Sequence, residues 1–186
     1  FKLAQLILHD YEKQLTQIII NKSKEKFDDK SIENVKKGFE LLEKAANLQQ
    51  SDAQLKIAYL TLYGIEIKNS LNENYFFIEK DVQKAINMFQ LIADRDNNPE
   101  AMFMYGKLTN DPSYISKSAR LNNDKARIAY GKMVFNFDSK ESKTKKLNNE
   151  NEPIEKNEKL SVYYFKLIAD NGNAEAQYLF AVCLME

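Results

Sequence analysis

The chain has 186 residues, of which 44% are hydrophobic, and this suits one compact domain or a run of short repeats. Lysine plus arginine total 27, as do aspartate plus glutamate, so no net charge attracts nucleic acid or an anionic membrane surface. One cysteine excludes an internal disulfide, and with one histidine it excludes a zinc site unless carboxylates supply most ligands. No apolar run is long enough to span a membrane.

The amino-terminal segment, residues 1–27, is predicted to form an amphipathic helix and a connector. Leu3, Ile7, Tyr11 and Leu15 recur at the spacing that lines one face of a helix. The charged stretch that follows breaks this spacing. The chain begins without methionine and ends inside a predicted helix, which favours a piece of a longer protein.

Residues 28–186 contain an internal repeat in four copies. In each copy, a first helical stretch closes on an alanine, a short polar turn follows, and a second helical stretch opens on another alanine. The closing and opening alanines of the four copies are Ala46 and Ala53, Ala93 and Ala101, Ala119 and Ala126, and Ala169 and Ala176.

Three further positions recur within the repeat. Five residues after the opening alanine stands a residue no larger than alanine, which predicts close approach of neighbouring helices: Ala58, Gly106, Gly131 and Ala181. A large apolar residue precedes each of these: Ile57, Tyr105, Tyr130 and Phe180. Another large apolar residue stands four residues before the closing alanine: Leu42, Phe89, Ile115 and Phe165.

The turns carry matching helix-start signals. An asparagine stands three residues before the opening alanine in three copies, where its side chain can cap the second helix: Asn98, Asn123 and Asn173. In the first copy, Ser51 and Gln54 are predicted to form a capping box. Gly172 stands where a left-handed residue ends the first helix of the fourth copy.

Two insertions interrupt the repeat, at about residues 65–80 and 136–159. The second is rich in lysine, glutamate and asparagine and has too few apolar residues to fold alone, so we expect a mobile surface loop. The first contains Tyr75, Phe76 and Phe77, which must be buried either on the repeats or on a partner. We favour the repeats.

The repeat pattern resembles the Sel1-like repeat (SLR) family, a relative of the tetratricopeptide repeats. The resemblance covers about residues 31–186 and is closest from Tyr164 to Ala181, whereas the third copy lacks most of its first helix. It implies an all-α fold, an α/α solenoid (superhelix) of antiparallel helix pairs. It also implies a non-catalytic scaffold or adaptor for protein–protein interactions, with no cofactor.

No residue pattern indicates an active site. His9, beside Asp10, is interpreted as an exposed helix residue, and Cys183 lies in an apolar run typical of a buried structural thiol. No glycine-rich phosphate-binding motif occurs. Residues 143–146 are basic, but nearby glutamates offset them, so nucleic acid is not an expected partner.

The expected partners are other proteins, within a larger complex. If the first helices line the concave surface, their non-core positions become candidate contacts: Glu40, Glu43, Asn87, Gln90, Tyr163 and Lys166. Tyr75, Phe76 and Phe77 are the other candidates. An ordinary solvated surface explains each of the first-helix residues equally well.

Two functional alternatives stay open at this point. The chain can be a permanent structural subunit of a large multiprotein assembly, or the regulatory repeat module of a longer protein. A cytoplasmic location is expected because cysteine is scarce. The lumen of the secretory pathway and a cytoskeletal or organelle assembly are the other locations compatible with the sequence.

Overall fold

The computed structural model describes residues 29–68, 74–135 and 157–185. The predicted amino-terminal helix, its connector, and most of the insertion at 136–159 lie outside these ranges. Within them the elements are, in chain order, α1 (Asp29–Asn47), α2 (Ser51–Tyr63), β1 (Ile65–Lys68), β2 (Asn74–Ile78), α3 (Val82–Asp96), α4 (Pro99–Thr109), α5 (Pro112–Arg120), α6 (Asp124–Phe135), α7 (Glu158–Ala169) and α8 (Ala174–Met185).

The chain divides into two compact units, residues 1–92 and 93–186. In the first unit, α1 packs on α2, and their shared core includes Leu42, Ala53 and Leu60. In the second unit, consecutive helices from α4 to α8 pack on one another. The first unit therefore contains the helix pair of the first copy, and the second unit contains the pairs of the third and fourth copies.

A β-hairpin occupies part of the first predicted insertion. β1 and β2 pair antiparallel, with Ile65 opposite Ile78, and both residues join the core of α1 and α2. Gly64 precedes the hairpin with φ of 73°, and a Cβ there would lie 3.0 Å from Cβ of Lys80. The prediction of an all-α repeat fold of the solenoid class is confirmed, and the hairpin is an addition to it.

The turn between paired helices contains a left-handed residue at the same register in all four copies. The residue four before the opening alanine has positive φ, as predicted for Gly172: Gln49, Asn97, Asn122 and Gly172. Such a left-handed residue ends the first helix and lets the chain turn back. The predicted asparagine caps are confirmed, because the opening alanine N–H donates to Asn98, Asn123 and Asn173 Oδ1 at 3.0, 2.9 and 2.9 Å.

The first copy caps its second helix differently from the prediction. Gln50, at the register of the asparagines, accepts the N–H of Ala53 through Oε1 at 2.6 Å. Ser51 is already helical, and its buried Oγ has no hydrogen-bond partner among the described residues. The predicted capping box is therefore wrong. Gln54 instead donates from Nε2 to the carbonyl of Ala46 at 3.0 Å.

The hydrogen bond from Gln54 to the carbonyl of Ala46 has equivalents in other helix pairs. The side chain following the opening alanine donates to the carbonyl of the closing alanine in two further copies: Arg127 Nε to Ala119 at 3.2 Å, and Gln177 Nε2 to Ala169 at 3.3 Å. Carbonyls at a helix C-terminus lack partners within the helix. The repeat thus supplies a partner for one of them in each of these copies.

Two of the four small residues, Gly106 and Gly131, act as predicted. At Gly106 a Cβ would lie 2.8 Å from Cγ1 of Ile115, and at Gly131 it would lie 2.7 Å from Cε1 of Phe165. These glycines therefore let α5 approach α4 and α7 approach α6. Ala58 is fully buried, whereas Ala181 is exposed. The large apolar residues four before the closing alanines are all buried: Leu42, Phe89, Ile115 and Phe165.

Candidate functional site

A groove with a volume of about 810 Å³ lies in the second unit, among α4, α5, α6 and the start of α8. Small-molecule sites commonly have volumes of roughly 300–1,000 Å³. The size of the groove is therefore sufficient for one or two side chains of a bound partner.

The facing walls come from two second helices of the repeat. On α4, the lining residues are spaced three and one apart and so share one face of the helix: Phe103, Gly106 and Lys107, with Asn110 just after its end. On α6 the same spacing selects one stripe: Lys125, Ile128, Ala129, Lys132 and Met133. Helical periodicity thus places apolar and cationic side chains on the same two walls.

The floor of the groove is apolar. Phe103, Ile115 and Ile128 line it and are 8%, 2% and 8% exposed. Ala129 and Met133, both half-buried, continue this surface towards solvent. Gly106 contributes by its size, because its missing Cβ allows Ile115 of α5 to reach the floor.

The rim carries charges that mostly neutralise one another. Lys125 Nζ lies 2.8 Å from Oε1 of Glu100, and Lys132 Nζ lies 2.6 Å from Oε1 of Glu175. Asp124 Oδ1 lies 3.4 Å from Nη1 of Arg127. These pairs are largely exposed, so each adds little to stability, but together they satisfy the carboxylates at the rim.

Lys107 differs from the other two rim lysines. It is exposed, and it has no carboxylate partner among the residues that the structure describes. Its Nζ lies 6.0 Å from the ring centroid of Phe103, within the range of a weak cation–π contact. The groove therefore presents one uncompensated ammonium group beside its apolar floor.

A tyrosine next to the groove helices fastens α5 in place. Tyr114 Oη donates to Oδ1 of Asp94 at 2.7 Å, and its ring packs edge-on against Tyr105 with centroids 4.6 Å apart. The hydrogen bond to Asp94, and secondarily burial, raise the pKa of Tyr114 to about 12. The hydroxyl therefore keeps its proton near neutral pH and acts as a hydrogen-bond donor.

Comparisons with known proteins find the same repeat in this chain. The family model for the Sel1 repeat matches residues 29–49, 51–97 and 150–173. The chain is a Sel1 repeat protein. A solved structure, the Sel1 repeat protein from Oxalobacter formigenes, superposes with a TM-score of 0.54 at 20% identity, over 75% of this chain and 51% of the other. At that identity the likeness concerns the fold, and this chain spans about half the length of that protein. No curated protein matches the sequence.

Sel1 repeats are in general protein–protein interaction modules, and the family is a non-catalytic one. The matched ranges lie outside the third copy, which forms α5 and α6. That copy is the one whose first helix is shortest, at nine residues. The groove of this Sel1 repeat protein is thus built largely from the copy that departs most from the family pattern.

The predicted binding residues do not line the groove. Glu40 and Glu43 on α1, Asn87 on α3 and Lys166 on α7 are exposed, and Gln90 on α3 is half-buried. Tyr163 on α7 is 59% exposed. Tyr75, Phe76 and Phe77 form the middle of β2. Whether these three side chains contact a partner or the repeats stays a prediction, and so does the binding role of the other residues.

The residues that do line the groove carry a signal that could have been found from the sequence. The stripe at positions 125, 128, 129, 132 and 133 of this Sel1 repeat protein combines cationic and apolar residues at helical spacing. The sequence-based candidates lay on the first helices and at residues 75–77, so they did not include the stripe on α6.

Among the other candidate groups, Cys183 does not line the groove. Cys183 is half-buried against the core of α7 and α8, which is less buried than expected for a structural thiol. His9 lies outside the described residues. In the ranges 29–68, 74–135 and 157–185, no group of three potential metal ligands occurs, and no helix is long and apolar enough to cross a membrane.

Proposed function

We propose that this Sel1 repeat chain is a non-catalytic scaffold or adaptor module that binds a partner protein, as part of a larger complex in the cytoplasm. The observation that carries the proposal is the groove in the second unit, with its buried apolar floor and its charged rim. Protein interfaces combine an apolar centre with a polar border in the same way. The family's general role in protein–protein interaction supports the same conclusion.

The chemistry of the groove supports binding rather than catalysis. Its carboxylates Asp124 and Glu175 each contact a cation, and Glu100 accepts from both Lys125 and Asn123. A general base must reach a substrate proton, and a carboxylate that is already engaged by cations is poorly placed for that role. These groups are better suited to orienting a bound chain.

The predicted first-helix residues remain a second set of candidate partner contacts. They are Glu40, Glu43, Asn87 and Gln90 in the first unit, and Tyr163 and Lys166 in the second. Exposure of the aromatic ring of Tyr163 supports a role in contacts, because exposed aromatic side chains are enriched at interfaces. The groove and this set of residues make different predictions about which residues a partner touches.

One observation favours a permanent structural subunit as the second candidate function. On α8, Tyr178, Leu184 and Met185 are 67%, 68% and 78% exposed. Exposed apolar side chains on one helix are typical of a surface that packs against another protein element. A subunit held by α8 would not exchange with partners in solution.

Site-specific photocrosslinking in the cell of origin tests the proposal. A photoreactive amino acid is placed at Met133 in the groove, at Lys166 on α7 or at Tyr178 on α8, and crosslinked proteins are identified by mass spectrometry. We expect a protein crosslinked from Met133 or Lys166 whose yield falls when excess unmodified chain competes. Absence of crosslinks from both positions would contradict the scaffold. Crosslinks from Tyr178 alone that resist competition would establish the structural subunit instead.

A further inference from the structure

We propose that the groove between α4 and α6 binds a short acidic segment of a partner protein, with a partner carboxylate on Lys107 and an apolar partner side chain on the floor. This inference rests on the proposed function and specifies where and by what chemistry the partner binds. It assigns a role to the second helices, which the predicted binding residues do not include.

The floor selects an apolar side chain. Phe103, Ile115 and Ile128 form its base, and the half-buried Ala129 and Met133 form its upper wall. A partner methyl or aromatic group that covers this wall removes apolar surface of both molecules from water. Methionine adapts its shape to different side chains, so the wall can accept leucine or phenylalanine.

The rim selects a negative charge. Two of the three lysines at the groove are already paired, Lys125 with Glu100 and Lys132 with Glu175. Asp124, the remaining carboxylate at the groove, contacts Arg127. Within the described part of the chain this leaves Lys107 as the rim charge without a counterion. A basic partner segment would have to displace an existing ion pair, whereas an acidic one finds an available ammonium group.

The position of Lys107 sets the spacing in the partner. Its Nζ lies 6.0 Å from the centroid of the Phe103 ring at the floor. Side chains two residues apart in an extended segment project to the same side, roughly 7 Å from each other. A glutamate or aspartate two positions from a leucine or phenylalanine therefore places its carboxylate on Lys107 while the apolar group covers the floor.

A single available cation also argues against nucleic acid as the occupant. Phosphate backbones are bound by several lysines and arginines acting together, and the paired lysines of this rim do not provide such a set. A mixed carboxylate and apolar ligand matches the groove better, because it uses both the ammonium group and the floor.

Fluorescence anisotropy with defined peptides tests the proposal on the full chain. The probe is a labelled peptide in which one glutamate stands two positions from one leucine in a glycine-serine background. Two counterparts replace the glutamate by lysine or the leucine by alanine. We expect the probe to bind at least about tenfold more tightly than either counterpart, because each loses one of the two contacts. Binding should weaken as salt is raised, since Lys107 is exposed.

Variants of the chain locate the bound probe. Lys107→Glu should weaken binding at least about tenfold, because attraction becomes repulsion, while Lys107→Arg should keep it within about threefold. Ala129→Phe should abolish binding by filling the groove. Lys159→Glu is the matched control: it reverses an exposed lysine of the same unit that neither lines the groove nor belongs to the predicted binding residues, and it should leave binding unchanged. Circular dichroism and thermal unfolding verify that each variant is folded.

The outcomes separate this inference from the proposed function. If the probe binds no better than its lysine counterpart, or if Lys107→Glu and Lys107→Arg act alike, the acidic-segment assignment is wrong. If a protein partner crosslinks and is lost with Lys166→Glu but not with Lys107→Glu, the scaffold role stands and the groove is not its site. If no protein crosslinks at all, yet the probe binds through Lys107, the groove binds acidic segments and the proposed scaffold role is wrong.

Discussion

The third and fourth copies of the repeat place equivalent residues in different surroundings. Gly131 of α6 and Ala181 of α8 hold the same register, yet Gly131 lies under the ring of Phe165, whereas Ala181 is exposed. A hydrogen bond from Ser161 Oγ to the Gly131 carbonyl, at 3.0 Å, further joins α7 to α6. The comparison teaches that a small residue permits close approach and that the neighbouring helix decides whether the approach occurs.

The largest effect should come from removing the ring that covers Gly131. Phe165 is fully buried, so Phe165→Ala should lower the free energy of unfolding by about 3–5 kcal/mol, through lost burial and the cavity left behind. Tyr178→Ala, which truncates a 67% exposed ring on α8, should change it by less than about 0.5 kcal/mol. Urea denaturation followed by circular dichroism measures both. Equal losses would contradict the packing described for α7.

The next effect comes from enlarging the small residue itself. Gly131→Leu forces a side chain against Cε1 of Phe165, which a Cβ alone would approach to 2.7 Å, and should destabilise the protein by about 1–3 kcal/mol. Ala181→Leu at the equivalent exposed position should stay within about 0.5 kcal/mol. Thermal unfolding compares the two. Combining Gly131→Leu with Phe165→Ala should recover part of the loss if the two side chains compete for one space.

Removing the helix caps of the same two copies should change the free energy of unfolding by smaller amounts. Asn173→Ala removes one bond to the N–H of Ala176 and should cost about 1 kcal/mol. Asn123→Ala removes the equivalent bond and also a 2.8 Å bond from Nδ2 to Glu100, so its loss should be larger, about 1–2 kcal/mol. Chemical denaturation of both variants, with Asn173→Asp as the cap-preserving control, checks this order. The reverse order would show that the bond to Glu100 contributes nothing.

The smallest expected change in stability concerns two tyrosines at equivalent positions of the repeat, and it depends on pH. Tyr114 and Tyr164 stand at the same position of the third and fourth copies, but only Tyr114 donates to Asp94. In Tyr164, burial is the main cause that raises the pKa, and the positive charges of Arg120 and Arg127 act to lower it. Tyr114→Phe should cost about 1 kcal/mol below pH 10. Because the pKa of Tyr114 is raised from 10.0 to about 12 in the folded chain, this contribution is lost as pH rises across that interval.

Tyrosinate absorbance during an alkaline titration measures that shift directly. In the native chain one group should titrate near pH 12, and Asp94→Asn should move it back towards the ordinary pKa of 10.0. Tyr164 serves as the internal reference, since Asp94→Asn should leave its titration unchanged. A shift that survives Asp94→Asn would mean that burial, and not the hydrogen bond, holds the proton on Tyr114.

The turns show how far local reasoning reaches. Asn98, Asn123, Asn173 and Gly172 were predicted correctly because caps and left-handed residues involve neighbours only a few positions away. The exception is the first copy, where serine was favoured over Gln50 as the cap. The longer glutamine side chain reaches the same N–H as the asparagines do. Ser51 was predicted because serine is a common capping residue, although Gln50 is the residue at the register of the asparagines.

The candidate site shows where local reasoning stops. The lining of the groove combines residues from α4, α5, α6 and α8, and its apolar floor exists only because Gly106 lets Ile115 come close. The first-helix residues were selected from a general expectation about concave surfaces. They are mostly exposed, but exposure alone distinguishes no binding surface from an ordinary one.

The sequence by itself determined the helix pairs, their turns and the registers of small and large residues, because helical periodicity and capping depend on contacts within a few residues. Only the tertiary structure decided which small residues are covered and which charges are neutralised. Lys125 meets Glu100 across 25 positions, and Lys132 meets Glu175 across 43. Such pairs form only after separate helices pack, and within the described residues they leave Lys107 as the groove lysine without an ion-pair partner.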